Sequence, residues 1–255
     1  MKRLPMKRTM ATCAVALLAA AGARVLAADE LPKAETILDK SVEATGGKAA
    51  FGKLHNEVIT GSMELPAMGI KGTITITKVE PDKSLSEVEI AGVGSVKDGY
   101  DGKVAWEIHP MMGARIKDGD EKAAAIREAH FHEENWRDDY KKVETVGSET
   151  VDGKECYKLL LTPNAGSPVT EFYDKKTNLL VKSTMTANTP MGEIAVEIMP
   201  GDYRKEGDLL VAHKMQMSQS GQDITITLDS FKYNVDVPKD KFDLPVDIKA
   251  LLEKK

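Results

Sequence analysis

From His55 almost to its end, the chain alternates apolar and polar residues with a period of two. Ile59, Met63 and Leu65 alternate with Thr60, Ser62 and Glu64; Ile70, Ile74 and Ile76 with Lys71, Thr73, Thr75 and Thr77; Val88 and Ile90 with Glu87 and Glu89. Successive side chains of a strand point to opposite faces, so this pattern predicts antiparallel strands with one covered face and one wet face. Turn residues separate them at Pro66-Ala67-Met68-Gly69 and Glu80-Pro81-Asp82. The stretch Val93 to Pro110 then carries two glycine-ended turns, Lys97-Asp98-Gly99 and Tyr100-Asp101-Gly102. A strand follows in which Val104, Trp106 and Ile108 face one way and Lys103, Glu107 and His109 the other. Asp-Gly between apolar alternations is a strong hairpin signal, because glycine takes the positive φ that the turn requires.

Strands resume at Lys142. Val151-Asp152-Gly153-Lys154 is a turn, and Tyr157, Leu159 and Leu161 then alternate with Cys156, Lys158 and Leu160. Thr170 to Asp174 pairs through Lys175 to Asn178 with Leu179 to Met185, and Ile194 to Ile198, Leu209 to Met217 and Ile224 to Leu228 follow. The count is about eleven strands in sequence. Open twisted sheets of that size seldom stay flat, so the pattern predicts a long meander curling on itself.

Helical spacing appears in four places. Asp29 to Gly47 sets Ile37, Leu38 and Val42 on one side with Ala34, starts near Pro32 and stops at Gly46-Gly47. A second patch runs from Ala49 to Leu54. Asp120 is placed to cap a helix from Glu121 to about Glu133, with Trp136 and Tyr140 on the charged segment after it. This insertion into a β chain is the natural candidate for a lid. A tail helix spans Val246 to Glu253.

Residues 1 to 27 are set apart from the fold. Lys2, Arg3, Lys7 and Arg8 precede a short apolar run from Ala11 to Ala21, and Val25-Leu26-Ala27 suits a signal peptidase. The expectation is a signal peptide cleaved near Ala27 and a single domain over residues 28–255 in the periplasm. Its loss removes five positive charges and takes the formal net charge from −5 to −10. So acidic a chain is a poor nucleic-acid binder, which excludes that partner class. Only Cys156 remains, so no intramolecular disulfide forms and burial must hold the domain together.

For chemistry the sequence offers little. It has no Gly-x-Ser-x-Gly elbow, phosphate-binding glycine loop, paired cysteine motif or His-Glu-x-x-His. In His130-Phe131-His132-Glu133-Glu134, the two histidines of a helix would point about 200° apart and could not share a metal. The expectation is no catalytic residue, no metal and no cofactor. Methionine, by contrast, sits in three turns where polar residues are usual: Pro66-Ala67-Met68-Gly69, Pro110-Met111-Met112-Gly113 and Pro190-Met191-Gly192. Methionine repacks readily against varied apolar partners, so these tips read either as the rim of a hydrophobic mouth or as surfaces covered by helices.

Together these residues resemble the LolA-like superfamily, exported lipoprotein-sorting carriers and their relatives. The resemblance rests on the N-terminal helix, the strand start Tyr100-Asp101-Gly102-Lys103-Val104-Ala105-Trp106, the helical insertion after it, and the Cys156 to Pro163 strand followed by Phe172-Tyr173-Asp174. Ile37-Leu38-Asp39-Lys40 and Ala44-Thr45-Gly46-Gly47-Lys48 resemble a subgroup known as outer membrane lipoprotein-sorting proteins. The resemblance implies a mainly β fold with a few helices: an incomplete antiparallel β-barrel covered by a helical lid over a hydrophobic cavity. It also implies a carrier of lipoprotein acyl chains. One departure is clear: the carriers hold the lid with an arginine in the turn before the proline equivalent to Pro81, where this chain has Val79 and Glu80.

The function expected is therefore a monomeric periplasmic carrier or binding protein for a lipid, a lipoprotein acyl chain or another hydrophobic ligand. An envelope membrane protein or lipoprotein is the candidate partner, and an envelope-stress sensor or interaction module on the same scaffold is the alternative. Candidate ligand-binding residues are Met63, Ile74, Ile76, Val88, Ile90, Val104, Trp106, Ile108, Met111 and Met112. Trp106 offers its large rigid surface either to this cavity or to the core.

Overall fold

The computed structural model describes residues 31–189 and 192–254. Two helices open this part of the chain, α1 (Ala34–Thr45) and α2 (Lys48–Phe51). Six strands follow: β1 (Asn56–Leu65), β2 (Ile70–Val79), β3 (Lys83–Ile90), β4 (Gly94–Tyr100), β5 (Ala105–His109) and β6 (Gly113–Ile116). After α3 (Gly119–Ala129) come β7 (Tyr140–Val151), β8 (Lys154–Pro163), β9 (Val169–Asp174), β10 (Leu180–Thr189), β11 (Gly192–Glu206), β12 (Leu209–Gln219) and β13 (Gln222–Tyr233). Helix α4 (Val246–Leu252) ends the fold, and short 3₁₀ segments lie at Pro66–Met68 and Glu133–Asp138.

All thirteen strands form one antiparallel sheet in the order β6-β5-β4-β3-β2-β1-β13-β12-β11-β10-β9-β8-β7. The first and last strands of the chain pair at its middle, Glu57 opposite Tyr233 and Met63 opposite Ile226. The outermost strands, β6 and β7, do not close on each other, so the sheet is a curled, incomplete barrel. Its mainly β character and helical cover are those the sequence predicts.

The alternation predicts about eleven strands, and the two more are β4 and β6. Lys97-Asp98-Gly99 is thus no turn: all three residues lie within β4, paired with β3 and β5. A glycine there reads as punctuation, yet it serves packing. Gly99 lies directly opposite Trp106, and a Cβ on it would come 2.5 Å from the indole. The ring covers a residue that has no side chain of its own, as an aromatic does for a strand glycine. Gly61 marks the bulge where β1 shifts register against β13, and a Cβ there would stand 2.1 Å from the Thr227 carbonyl oxygen.

The helices begin and end somewhat differently from the pattern. Helix α1 starts at Ala34, with Lys33 still extended, and stops where Gly46 turns to φ 136° and the Gly47 N–H bonds back to the Val42 carbonyl at 2.9 Å. Helix α3 begins one residue before Asp120, with extended Asp118 ahead of it, and ends at Ala129 rather than Glu133.

Both sheet faces carry apolar clusters. On one face α4 and the segment before it cover Leu85, Trp106, Phe242 and Ile248, with Val104, Ile108 and Leu251 at the edge. On the other face α1 packs Ala34, Ile37 and Leu38 onto Leu159, Leu161 and Tyr173, while Ala125 and Ala129 of α3 sit on Tyr100 and Ala105. The second face is the inner one of the curl.

Candidate functional site

The strand register decides which candidate residues can meet a common ligand. Directly opposed residues share a face, and the register runs Ile59–Ile76, Ile74–Val88 and Met63–Ile226–Met215 across β12, β13, β1, β2 and β3. Ile74, Ile226 and Leu228 form the buried part of this apolar strip, with Ile59, Met63, Ile76, Val88, Met215, Ile224 and Phe231 packed against it. Ile90 joins the same face one pair beyond Val88, opposite Gly72. The structure thus brings Met63, Ile74, Ile76, Val88 and Ile90 together on the inner face.

The other five candidates are elsewhere. Val104, Trp106 and Ile108 point to the opposite face, where Trp106 is buried against Leu85, Phe242 and Ile248 under α4. Trp106 is core. The strand register carries it there, since it faces the same way as Leu85 through Gly99. Met111 and Met112 stand exposed at the β5–β6 tip. Of the third methionine turn, Pro190 and Met191 lie outside the described residues.

A cavity of about 520 Å³ adjoins the apolar strip. Its walls are Leu38, Val42 and Thr45 of α1, Phe51 of α2, Arg127 and Glu128 of α3, and Glu134 and Trp136 of the 3₁₀ segment. Its floor is Leu161, Glu171, Tyr173, Leu180, Tyr203, Ala212 and Phe231. Phe231 lines the cavity and packs against the apolar strip, so the two meet at this residue. The size lies within the range of about 300–1,000 Å³ typical of small-molecule sites. A second cavity of about 190 Å³ separates α3 from Met185, Ala187 and Ile194.

The cavity floor is not purely apolar, and the alternation of strand residues did not reveal this. The Tyr173 hydroxyl donates to Glu171 Oε2 at 2.5 Å. Burial pushes the Glu171 carboxyl above its usual range, although that hydrogen bond opposes the shift. Tyr203 is pushed up to about 12, by burial first and then by Glu171. Burial works against the ammonium of Lys78, yet Glu133, 2.6 Å away, and Glu57 outweigh it and hold the lysine charged. Arg127 Nη1 and Glu134 Oε2 are buried with no hydrogen-bond partner among the described residues. Phe172 and Tyr173 on either face of β9 are both buried, so no alternation in this strand marks Glu171 as lining a cavity.

The cover is held by a few polar links. Asp39 of α1 accepts from both terminal nitrogens of Arg137 at 2.7 and 2.9 Å and from Trp136 Nε1 at 3.1 Å. Arg137 holds the Asp39 carboxyl below its usual range. Where the resemblance places a lid-holding arginine, Glu80 instead meets two histidines: His55 at 2.8 Å and His132 at 3.3 Å. The Phe131 N–H bonds to the Pro81 carbonyl at 3.1 Å beside them. His130 pairs with Asp139 at 3.0 Å and His132 with Glu134 at 3.2 Å, so the two histidines serve separate contacts. Among the described residues no group of three His, Cys, Asp or Glu side chains is placed to hold a metal ion. No described helix is long and apolar enough to cross a membrane.

These features define an incomplete, helix-covered β-barrel with a cavity under its cover beside an apolar strip. The fold is LolA-like. A LolA superfamily protein from Nitrosomonas europaea superposes with a TM-score of 0.57 at 15% identity, covering 84% of this chain and 99% of that one. A DUF1329 family protein from Desulfovibrio piger gives 0.54 at 15% identity over 82% of this chain and 97% of its own. A domain assigned to outer membrane lipoprotein sorting from Vibrio parahaemolyticus gives 0.51 at 14% identity over 86% and 99%. Neither a protein-family model nor a curated protein matches the sequence.

Proposed function

We propose that the protein is an exported carrier or binding protein for a hydrophobic ligand, a lipid or a lipoprotein acyl chain, held between the inner face of the sheet and its helical cover. The observation that carries this reading is the 520 Å³ cavity that meets, at Phe231, the apolar strip of Ile59, Met63, Ile74, Ile76, Val88 and Ile226. An acyl chain laid along that strip loses contact with water at about 0.8 kcal/mol per CH₂, so a dozen methylenes gain on the order of 10 kcal/mol gross. Binding of that strength asks for no catalytic chemistry. The polar lining from Glu171 and Tyr173 of the floor and Arg127 of the wall suits the headgroup end of an amphipathic ligand better than a bare hydrocarbon. The leader-like residues 1 to 27 and the LolA-like fold support a place in the periplasm.

Native mass spectrometry, with lipid extraction, on protein purified from its own envelope tests the proposal. Acyl-chain species bound at near one per protein support it and identify the cargo. A ligand-free mass together with a stable protein partner refutes it in favour of an interaction module on the same scaffold.

A further inference from the structure

The connections between strands differ by end. Because neighbouring strands are antiparallel throughout, alternate connections of the meander lie at the same end of the sheet. One end carries residues 80–82, 101–104, 152–153, 175–179 and 207–208, and each of these five connections contains Asp, Glu or Lys. Among the described residues, the connections at the other end are 66–69, 91–93, 110–112, 164–168 and 220–221, and none of these contains a charged residue. Three of the uncharged connections are tips of successive hairpins, β1–β2, β3–β4 and β5–β6. Neighbouring strands lie about 4.8 Å apart, so the three tips form a row roughly 20 Å long.

These tips expose large apolar side chains. Met68 is 59% exposed, Val93 41%, Met111 82% and Met112 56%. None of the four belongs to an apolar cluster of the core. The row has no packing role that explains it, while every turn at the opposite end follows the usual polar rule.

We propose that this row is a lipid-docking edge, by which the protein rests on the surface of a bilayer and sets the four side chains among its outer acyl chains and headgroups. Three observations favour lipid over a protein surface. The four side chains are spread over three hairpin tips. They include no aromatic ring or arginine of the kind that anchors protein interfaces. Methionine also adapts to a fluid surface without shape complementarity. Absence of charge is what a low-dielectric surface demands, since each buried charge would have to shed its water. The nearest charges mark the limits of the contact. Lys71 and Glu64 neutralise each other at 2.7 Å below the first tip, Glu89 stands exposed on the outer face below the second, and Asp118 and Asp120 stand at the start of α3, where Ser167 Oγ lies 3.5 Å from Asp120. The edge is therefore the β1–β6 side of this end.

The inner-face residues nearest the first two tips are Leu65, Ile70 and Ile90, so docking points this end of the apolar strip at the lipid. The docking proposal does not depend on the ligand-binding one: an edge of this kind holds the protein to a bilayer whether its cavity is filled or empty. The formal net charge, −5 for the full chain and −10 without residues 1 to 27, disfavours anionic lipid and leaves a neutral surface as the partner.

The test is flotation of the protein, recovered after expression of the full-length gene, with vesicles of phosphatidylcholine alone. The native protein is compared with the triple variant Met68→Asp, Met111→Asp, Met112→Asp and with Lys176→Asp at the opposite end. The proposal expects native protein and Lys176→Asp to float alike in 50 mM and 500 mM salt, and the triple variant to lose about tenfold in vesicle affinity at unchanged melting temperature. A Met111→Cys variant carrying an environment-sensitive fluorophore should shift its emission to the blue when vesicles are added. Native protein that fails to float, flotation lost in high salt, or a triple variant that floats like the native would overturn it. Crosslinking of the tips to an envelope protein, without flotation, would overturn it in favour of a protein partner. Flotation reads the edge alone and bound acyl species read the cavity alone, so each proposal fails by its own measurement.

Discussion

Replacing Trp106 by alanine separates a packing tryptophan from a ligand-binding one. The side chain is 3% exposed and packs with Leu85, Phe242 and Ile248, and its indole covers Gly99, where a Cβ would come within 2.5 Å of the ring. A large aromatic truncated to alanine in a core costs about 3–5 kcal/mol, the upper half applying where the walls cannot collapse. Here one wall is the backbone of β4, fixed by pairing with β3 and β5, so we expect about 4 kcal/mol. For a domain of this size each kcal/mol moves the melting temperature by roughly 2–4 °C, so Tm should fall by about 8–16 °C. The assay pairs thermal and urea melts with binding of a fluorescent fatty acid at a temperature where the variant remains folded. Stability should drop at unchanged probe affinity. A Tm change below about 3 °C together with lost probe binding would refute the reasoning and return Trp106 to the ligand.

Gly99→Ala should itself cost about 1–3 kcal/mol by overpacking against the indole, and the double variant with Trp106→Ala should be more stable than the sum of the two costs predicts, as a double-mutant cycle in urea would show. Ala212→Trp should block the 520 Å³ cavity, lowering the amount of lipid that co-purifies while the fold persists by circular dichroism. Asp39→Ala frees Arg137 and Trp136 at a half-exposed site, so stability should change by less than about 1 kcal/mol while fluorescent fatty acid exchanges faster in stopped flow. The Glu171 carboxyl is raised in the folded state, so the native protein loses stability as pH climbs from the unfolded value of about 4.3 through the folded one. Glu171→Gln removes that loss and should melt higher than native at pH 8 but not at pH 4; a lower Tm at pH 8 would contradict it.

Much of the fold is legible residue by residue. Ile74 and Ile76 alternating with Thr73, Thr75 and Thr77 mark β2, and Val151-Asp152-Gly153-Lys154 marks a turn in which Asp152 and Gly153 take φ of 47° and 74°. These are local signals, because a strand shows its two faces in its own sequence. Strands β4 and β6 escape such reading. Gly94-Ser95-Val96-Lys97-Asp98-Gly99-Tyr100 has little strand preference and is held extended by β3 and β5 on either side. The lid segment is legible as an interruption, but its fastening is not: Asp39 and Arg137 are 98 positions apart, and only the docking of α1 brings them together.

The sequence by itself determined the β meander, the helical insertion and the apolar content of both faces, since periodicity and turn chemistry act over a few residues. It also determined that the tips at 66–69 and 110–112 carry methionine and no charge. It did not determine which apolar face lies inside. Ile74 and Trp106 are equally buried, yet one faces the inner strip and the other the underside of α4, and their alternation alone is the same. That choice was made by the curl of thirteen strands, by β1 pairing with β13, and by which helix covers which face. Those are contacts between residues far apart in the chain, and the burial they decide is shared across the sheet.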